Sequence, residues 1–591
     1  MKFCPSCGSR VQKSATVCER CGARLIPGAA PKKWSPEDCF PFKTMRPSQK
    51  EVLQQVEAAL GKWRFIILEA PVGFGKSAIA ASLCSFSGSA YLLTSTKQLQ
   101  DQYSADFRLN VVMGKSNFTC LVPTSLGKLL PCSKGRCEVD WKLSDCPHHL
   151  TFQEYDEHRR DLCTKDSKCR RLKDDKLCPY YDQKWDAFSS PVTVANYPFF
   201  LTELRHTDDI RRRKVLVCDE CHDLERQLVS SASFTLRRST VESYSLRDVS
   251  GPERFTLPDL GLESASAYGE TLNNAKLRLE AFLSAYLGND SMQERVAGCR
   301  NALESIAGFI EDLESHPDNW VVNSLRKIAT SEGGPSVEEV DFQPLEVGAY
   351  TSSVFETAET VLLMSATVFS KEAFCRSLGI PVEQAWFIRV GDSSFPVENR
   401  RVHVLNAARL NRASLDASLE TIARAVDEIM VNHIGERGIV HTTSYQQARY
   451  IMDHVSDSSR NRLSTTEGAS SRSALLKTHG STDESVLISP SLYQGVDLKD
   501  ELSRFQVLVK VPYPDLSERR TRVKLERDPA WYDWQTALRL VQTYGRSVRS
   551  ETDHAVTYVL DSNFTIFLGR HRDLFPEYFL EALVTNESTR E

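Results

Sequence analysis

The sequence lacks any apolar run long enough to cross a membrane, and it lacks an excess of positive charge. No stretch approaches the roughly 18 apolar residues that a transmembrane helix needs, and the opening MKFCPSCG has no signal-peptide core. Because the net charge is -5, any contact with nucleic acid must be a local groove rather than a wholesale basic surface. We therefore expect a cytoplasmic protein with no membrane partner.

The composition is that of an ordinary globular protein except for its cysteine content. At 591 residues the chain should carry roughly three to five domains, and 41% hydrophobic with 26% charged residues is typical of a folded protein. Seventeen cysteines are many for a chain with no export signal, and clustered cysteines in a reducing compartment favour metal sites over disulfides. Four of them lie within residues 4–21 and seven within residues 120–178.

Two CxxC pairs near the amino terminus predict a zinc ribbon in residues 1–25, followed by a linker in residues 26–36. Four thiolates complete the tetrahedral shell of a structural Zn²⁺, and such a small module depends on its metal to fold. Iron bound in the manner of rubredoxin is the alternative. The four ligands are Cys4, Cys7, Cys18 and Cys21. We expect this module to dock to DNA or to a protein partner.

The segment of residues 66–77, IILEAPVGFGKS, has the spacing of a Walker A phosphate-binding loop. Gly73 and Gly75 let backbone N–H groups close around a polyphosphate at a helix amino terminus. Lys76 would reach the β and γ phosphates, and the Ser77 hydroxyl would hold Mg²⁺. A chance glycine-rich turn is the alternative, which a matching acidic pair downstream argues against. The segment predicts a site for ATP and Mg²⁺.

That acidic pair ends a second apolar strand, within residues 211–222, RRRKVLVCDECH. Asp219 would hold Mg²⁺, and Glu220 would orient or deprotonate the attacking water. His222 is placed to couple the nucleotide to a second lobe. The basic residues 211–214 before the strand read as a solvated turn.

Upstream of the Walker segment, an aromatic residue and a glutamine lie where they could bind the adenine base of ATP. The candidates are Phe42, Arg46 and Gln49. A capped surface helix with one buried phenylalanine explains the same residues as well.

Five segments occur in the order found in superfamily 2 helicases: APVGFGKS, DECH, MSAT at 364–367, YQGVDL at 493–498 and QTYGRSVR at 542–549. With a cysteine-rich insert ending in CPYY, they make residues 40–590 similar to the XPD/DinG family of iron–sulfur DNA helicases. The resemblance implies an α/β fold of two RecA-like P-loop helicase lobes with an inserted iron–sulfur domain and an inserted helical arch domain. The implied ranges are 37–367 for lobe 1, with inserts at 115–185 and 225–345, and 368–591 for lobe 2.

The resemblance also implies that the second lobe completes the nucleotide site. Gln542, Arg546 and Arg549 would share one helix, and one or both arginines would act as arginine fingers across the cleft. Gly495 and Asp497 would lie at a strand-to-helix turn that faces the same cleft.

Within the first insert, the family holds a [4Fe–4S] cluster on four cysteines, whereas this insert contains seven. The tight triplet of DinG-like members resembles Cys163, Cys169 and Cys178, which would hold the cluster together with Cys120. A separate Zn²⁺ site would then take Cys132, Cys137 and Cys146 with His148 or His149. The alternative, closer to XPD, takes Cys137 and Cys146 as the middle cluster ligands.

The second insert, residues 225–345, carries none of these motifs and predicts a helical hairpin. Apolar residues recur every three to four positions along residues 279–286 and again along residues 296–313. In position the insert corresponds to the arch domain of the family.

These features predict an ATP-dependent DNA helicase that acts on single-stranded and forked DNA in repair, recombination or replication. Movement in the 5′→3′ direction is implied by the resemblance alone, and we expect a monomer associated with the nucleoid. The basic segment 509–524 reads as a DNA-facing loop or, at least as well, as a solvated charge run. Three alternatives remain: a translocase or remodeller that separates no strands, an RNA helicase, and a binding module with a vestigial ATPase.

Overall fold

The computed structural model describes most of the chain. The described residues are 2–3, 10–11, 35–123, 127–135, 137, 143–160, 176–246, 255–287, 292–329, 335–391, 393, 395–410, 415–467, 472–491, 498, 500–548 and 552–585. The predictions for Cys4, Cys7, Cys18, Cys21, Cys163, Cys169, Gly495, Asp497 and Arg549 lie outside these residues and stay predictions. Of the amino-terminal module the structure describes one short antiparallel pair, Lys2–Phe3 with Arg10–Val11.

A seven-stranded parallel sheet forms the first lobe. Its strands are mostly apolar and buried, as expected for a parallel sheet that helices cover on both faces. In order across the sheet they are Ala385–Arg389, Phe65–Glu69, Ala358–Ser365, Arg213–Asp219, Ala90–Thr94, Val192–Asn196 and Asn110–Val111. The helices of this lobe are Pro47–Ala59, Lys76–Ser87, Lys97–Phe107, Tyr197–His206, Leu224–Ala232, Gly348–Phe355 and Lys371–Leu378. One strand separates the Walker strand from the DECH strand, so their carboxyl ends open on the same edge.

A second seven-stranded parallel sheet forms the other lobe. In order its strands are Leu463–Thr465, Val486–Ser489, Gly438–His441, Phe505–Leu508, Val556–Asp561, Val402–Ala408 and Leu583–Thr585. Its helices are Leu415–Asn432, Tyr445–His454, Asp457–Arg460, Arg472–Ser481, Arg519–Arg527, Pro529–Tyr544, Asn563–Arg570 and Glu577–Leu580. The predicted fold of two RecA-like lobes is therefore confirmed. Within the described residues, no helix combines the length and the apolar composition that a membrane span requires.

The first lobe continues past residue 368, where the sequence placed the start of the second lobe. The strand Ala385–Arg389 pairs in parallel with the Walker strand Phe65–Glu69, and the ring of Trp386 lies 5.4 Å from that of Trp63. The second sheet receives its first strand only at Val402–Ala408. The edge strand carries no helicase motif, so the motif order could not place this boundary.

The insert between the DECH and MSAT segments combines the predicted helical hairpin with a three-stranded antiparallel sheet. The hairpin consists of Gly269–Tyr286 and Gln293–Ser315, whose apolar faces share one core. The sheet order is Phe234–Arg237, Pro335–Pro344 and Trp320–Ala329. Phe234 of the sheet stacks on Phe309 of the hairpin at 4.5 Å. The second insert is therefore an α+β unit, which corrects the expectation of a purely helical one.

The cysteine-rich insert is anchored to the first lobe by a buried lysine. This insert contains the helices Phe152–Arg159 and Pro179–Ser189. Lys184 is 3% exposed, and its Nζ lies 2.7 Å from carboxylate oxygens of both Glu203 and Asp209. A buried ammonium held by two carboxylates fixes the second helix against the lobe.

A buried charge cluster joins the second lobe to the first. Arg520 on the helix Arg519–Arg527 places a guanidinium nitrogen 2.7 Å from Oε1 of Glu225, and Lys524 Nζ lies 3.9 Å from the same oxygen. Trp531 Nε1 donates to the other oxygen of Glu225 at 3.1 Å. We call Glu225, Arg520, Lys524 and Trp531 the interlobe charge cluster. Both basic residues are under a tenth exposed, so at these positions the basic segment is neither a DNA-facing loop nor a solvated run.

Candidate active site

The Walker loop leaves the carboxyl end of its strand and runs into the helix Lys76–Ser87. Gly73 and Gly75 take φ angles of 80° and 90°, a backbone conformation that other residues adopt only with strain. A Cβ at Gly73 would lie 2.2 Å from Cζ of Phe395, which comes from the segment between the lobes. Glycine is therefore required at residue 73 both by the backbone angle and by this aromatic ring.

Lys76 lies folded into the Walker loop. Its Nζ donates to the carbonyl oxygens of Ala70 at 2.8 Å and Pro71 at 3.2 Å. The ammonium is thus held where a triphosphate would lie, and phosphate oxygens would replace these carbonyl acceptors on binding. Ser77 follows it in the first turn of the same helix.

Two of the three predicted adenine-reading residues contact the Walker loop. Gln49 Nε2 donates to the carbonyl of Phe74 at 2.8 Å, and a guanidinium nitrogen of Arg46 donates to the carbonyl of Gly73 at 3.0 Å. Phe42 is instead 53% exposed, with its ring 5.8 Å from that of Phe107. Arg46 and Gln49 therefore contact the loop, while Phe42 is exposed at the surface beside Phe107.

Asp219 and Glu220 stand at the carboxyl end of the DECH strand. Asp219 is 3% exposed, and burial together with the charge of Glu220 raises its pKa to about 6. Burial alone would raise the pKa of Glu220, but the hydrogen bond and charge of His222, with the charges of Lys76 and Arg546, lower that pKa to about 2. A cation of each lobe thus acts on the same carboxylate.

His222 begins a hydrogen-bonded path toward the second lobe. Its Nδ1 lies 3.2 Å from Oε2 of Glu220 and 2.8 Å from Oγ of Ser365. Ser365 Oγ lies 3.4 Å from Oγ1 of Thr367. Gln542 Nε2 of the second lobe donates to that threonine oxygen at 3.1 Å. The path links the acidic box to the second lobe through the MSAT segment.

The two lobes enclose a cleft of about 480 Å³. The first lobe contributes Pro71 and Val72 of the Walker loop and Glu220, and the second lobe contributes Gln542 and Arg546. The cleft thus brings together residues that are separated by more than half of the sequence.

Arg546 reaches this cleft from a turn rather than from a helix. The helix Pro529–Tyr544 ends before it, because Gly545 and Arg546 leave the helical path. The expectation that Gln542 and Arg546 share one helix is therefore wrong, although both line the cleft.

Three residues near the cleft belong to none of the predicted motifs. Tyr103 Oη donates to Oδ2 of Asp219 at 2.8 Å, and Tyr197 Oη donates to the main-chain carbonyl of Asp219 at 2.8 Å. His441 lies at the end of a second-lobe strand, where burial and then the charge of Arg546 lower its pKa to about 3. Tyr197 follows the last residue of a strand and His441 ends one, which is a sequence signal, whereas Tyr103 lies within the helix Lys97–Phe107 and has no such signal.

Five cysteines of the first insert line one small cavity. They are Cys120, Cys132, Cys137, Cys146 and Cys178, and Lys115, His148 and Tyr181 line the same cavity. A backbone pairing brings the first two together, since Cys120 N donates to Leu130 O at 2.8 Å and Cys132 N donates to Phe118 O at 2.7 Å. Cys178 N donates to the carbonyl of His148 at 2.8 Å, which draws the end of the insert to the same place.

This arrangement places the cysteines of the expected zinc site beside Cys120 and Cys178 of the expected cluster site, whereas Cys163 and Cys169 lie outside the described residues. Cys132, Cys137 and Cys146 share their cavity with Cys120 and Cys178 because the backbone pairing folds the segments together. His149 is not among the cavity-lining residues, and its ring lies 4.4 Å from that of Tyr181.

The chemistry of this cavity suits a thiolate-bound metal group. A hydrogen bond from Cys132 and the backbone N–H groups of Tyr181 and Tyr180 lower the pKa of Cys178 to about 7, against the opposing effect of burial. In the part of the chain that the structure describes, no three or more His, Cys, Asp or Glu side chains form a group that could hold a metal ion as they stand. Five thiols around one cavity nevertheless match the donor set that iron–sulfur clusters take.

Two family models and several known proteins match this chain. The DEAD_2 model matches residues 93–241, and the Helicase C-terminal domain model matches residues 428–579. The ATP-dependent DNA helicase YoaA of Haemophilus influenzae is 21% identical, over 92% of this chain and 94% of its own. A probable ATP-dependent helicase of Methanocaldococcus jannaschii is 20% identical, over 90% of this chain and 93% of its own.

Solved structures share the fold. An XPD helicase superposes with a TM-score of 0.60 at 16% identity and covers 92% of this chain and 100% of its own. Xpd4 of S. tokodaii superposes with a TM-score of 0.56 at 14% identity and covers 91% of this chain and 100% of its own.

Two parallel sheets, a Walker loop with its acidic box and an arginine that faces them from the other lobe define a P-loop helicase of superfamily 2. Within that superfamily, the two family models and the relatives together support a helicase of the XPD/DinG type. It is an ATP-hydrolysing helicase.

Proposed function

We propose that this helicase moves along single-stranded DNA in the 5′→3′ direction of its family and separates the strands of tailed or forked duplex DNA. Such substrates arise in repair, recombination and replication alike. DNA is favoured over RNA because the relative YoaA is named as a DNA helicase.

The main support for this proposal is that residues of both lobes meet in the cleft between them. Glu220 of the first lobe lies under the influence of both Lys76 and Arg546, so a triphosphate held there would meet cations from the lobes of two separate sheets. Closing and opening of this cleft with each hydrolysis cycle would alternate the grip of the lobes on a DNA strand.

The residues of the cleft support distinct roles in hydrolysis. Lys76 would bind the β and γ phosphates, and Arg546 would stabilise the charge that develops during transfer. Glu220 stays ionised because its pKa is low, so it can orient the attacking water. Ser77 and Asp219 offer the hard oxygen donors that Mg²⁺ prefers, and Mg²⁺ bound with ATP would neutralise phosphate charge.

The decisive experiment combines ATPase and strand-displacement assays. We expect single-stranded DNA to stimulate ATP hydrolysis and the protein to displace the strand of a 5′-tailed duplex but not that of a 3′-tailed duplex. Lys76→Ala should abolish both activities, whereas Lys62→Ala, at an exposed position of the same lobe, should abolish neither. DNA-stimulated ATPase without displacement would identify a translocase, and preferential stimulation by RNA would identify an RNA helicase.

We further propose that four of the five cavity cysteines hold a [4Fe–4S] cluster and that the amino-terminal ribbon holds Zn²⁺. Anaerobically purified protein should then contain about four iron ions and one zinc ion per chain. Of the five single Cys→Ser substitutions in the cavity, four should lose iron and one should retain it. Cys163→Ser and Cys169→Ser should retain iron, and loss of iron in either variant would contradict the cavity assignment.

A further inference from the structure

The side chain of Asp219 is held at both of its oxygens. Oδ1 accepts the backbone N–H of Glu220 at 3.0 Å, and Oδ2 accepts the phenol of Tyr103 at 2.8 Å. Tyr103 is 1% exposed and Asp219 is 3% exposed. Because both groups are buried, water cannot easily replace the phenol as a donor to this carboxylate.

The phenol also lies beside the Walker helix. The ring of Tyr103 belongs to the same core as Ile79 and Leu83 of that helix, and its hydroxyl takes part in a hydrogen bond with the Ser77 side chain. The same hydroxyl is therefore in reach of Ser77 and Asp219, the two side chains to which the proposed function gives Mg²⁺. A tyrosine that only filled the core would not need its hydroxyl at this place.

The helix that carries Tyr103 is a separate element from the Walker loop. It spans Lys97–Phe107 and begins directly after the sheet edge at Thr94, with Thr96 as its amino-terminal cap. The ring of Tyr103 lies 5.6 Å from that of Phe107. The phenol is thus presented to Asp219 from a rigid element, as a group that orients another side chain must be.

From this geometry we infer that Tyr103 is a positioning residue that holds the Asp219 carboxylate beside Ser77 in the orientation that binds Mg²⁺. The inference rests on the proposed function. Because a hydrogen bond to a charged carboxylate is stronger than one between neutral groups, loss of the phenol should weaken Mg²⁺ binding about tenfold or more.

The chain supplies a matched control. Tyr197 is fully buried, and its phenol bonds the same aspartate at 2.8 Å but at the main-chain carbonyl, which does not hold the carboxylate. Tyr103→Phe and Tyr197→Phe therefore each remove one buried hydroxyl from Asp219, and only the first frees its side chain.

The test measures how Mg²⁺ changes the affinity for the fluorescent nucleotide trinitrophenyl-ATP, together with the Mg²⁺ concentration that gives half-maximal ATPase activity. Tyr103→Phe should raise the Mg²⁺ requirement in both measurements about tenfold and leave nucleotide affinity in EDTA unchanged. Tyr197→Phe should change neither measurement. Tyr103→Leu, which also lacks the donor, is measured in the same way if Tyr103→Phe does not fold.

Equal Mg²⁺ requirements in the wild type and the Tyr103 variant would overturn the inference and reduce Tyr103 to a packing role. A wild-type protein that hydrolyses no ATP, or a Lys76→Ala variant that retains hydrolysis, would instead overturn the proposed function. The two failures are therefore distinguishable.

Discussion

Replacing Glu225 by glutamine would test how strongly the interlobe charge cluster holds the two lobes together. Glutamine has the same shape and can still accept the N–H of Trp531, but it leaves Arg520 buried without a counter-charge. Lys524 is affected less, since its Nζ also lies 3.0 Å from Oε1 of Glu346.

The size of the effect follows from burial. Removing one partner of a buried ion pair costs about 3–5 kcal/mol, because the remaining charge cannot be hydrated. Some hydrogen bonds are retained and Lys524 has a second partner. We therefore expect Glu225→Gln to destabilise the contact between the lobes by about 3 kcal/mol, the lower end of this range. A change of this size makes local opening of the helix Arg519–Arg527 about a hundredfold more frequent. The amide hydrogens that exchange through this opening should therefore exchange about a hundredfold faster than in the wild type.

Hydrogen exchange followed by mass spectrometry on the full chain measures this directly. Glu420→Gln is the matched control, because it removes the same charge from an ion pair with Arg424 whose side chains are 71% and 67% exposed. That pair should contribute less than about 1 kcal/mol. The double variant Glu225→Gln with Arg520→Met should recover most of the stability that the single variant loses, because it no longer buries an unpaired charge.

If the exchange of Arg519–Arg527 accelerated no more in Glu225→Gln than in Glu420→Gln, the cluster would be hydrated in solution and the reasoning would be refuted. A loss in the single variant that the Arg520→Met combination did not recover would mean that glutamine disturbs packing rather than charge balance.

Other substitutions test the cleft itself. Gly73→Ala should abolish nucleotide binding, because the new Cβ meets the aromatic ring described above, whereas Gly88→Ala, at a similar φ of 60° with no atom within 4 Å, should bind nucleotide normally. The pKa of His441 in the folded protein lies below its value in the unfolded chain. As pH falls, the unfolded chain therefore binds a proton that the folded protein does not. The free energy of unfolding should drop by up to about 1.4 kcal/mol per pH unit between pH 6.5 and about 3. His441→Gln should flatten that slope in urea titrations at several pH values. Gln542→Ala should retain trinitrophenyl-ATP binding but lose most DNA stimulation of ATPase, because the hydrogen-bonded path to the MSAT threonine is broken; unchanged stimulation would show that the path carries no coupling.

The sequence predicted the first-lobe part of the site because its residues follow one physical rule. Strands that are apolar and parallel bring their carboxyl ends to one edge of a sheet, so Lys76, Asp219 and Glu220 had to meet there once their strands were identified. The same rule could not identify Tyr103, since nothing in the spacing of a helix shows which side chain will reach a carboxylate on another strand.

The basic segments were misjudged because charge in a sequence does not reveal burial. Arg520 and Lys524 looked solvated until the structure paired them with Glu225. Arg213, in the run expected to be a solvated turn, is 9% exposed; it donates to the carbonyl of Ala90 at 2.7 Å, and its guanidinium carbon lies 4.2 Å from the ring centre of Tyr91. Each buried cation needed a partner far away in the chain, and a single sequence does not show such pairs.

The hydrogen-bonded path from Glu220 to Gln542 explains how the state of the nucleotide could reach the second lobe. Each step is between 2.8 and 3.4 Å. Of its middle members, Ser365 ends a strand and Thr367 follows two residues later, and both side chains are buried. Such side chains cannot turn toward water without leaving a polar group unpaired. We therefore expect a change in the partners of Glu220 on hydrolysis to be passed on to His222, to the MSAT hydroxyls and to Gln542, one of the residues through which the second lobe contacts the first.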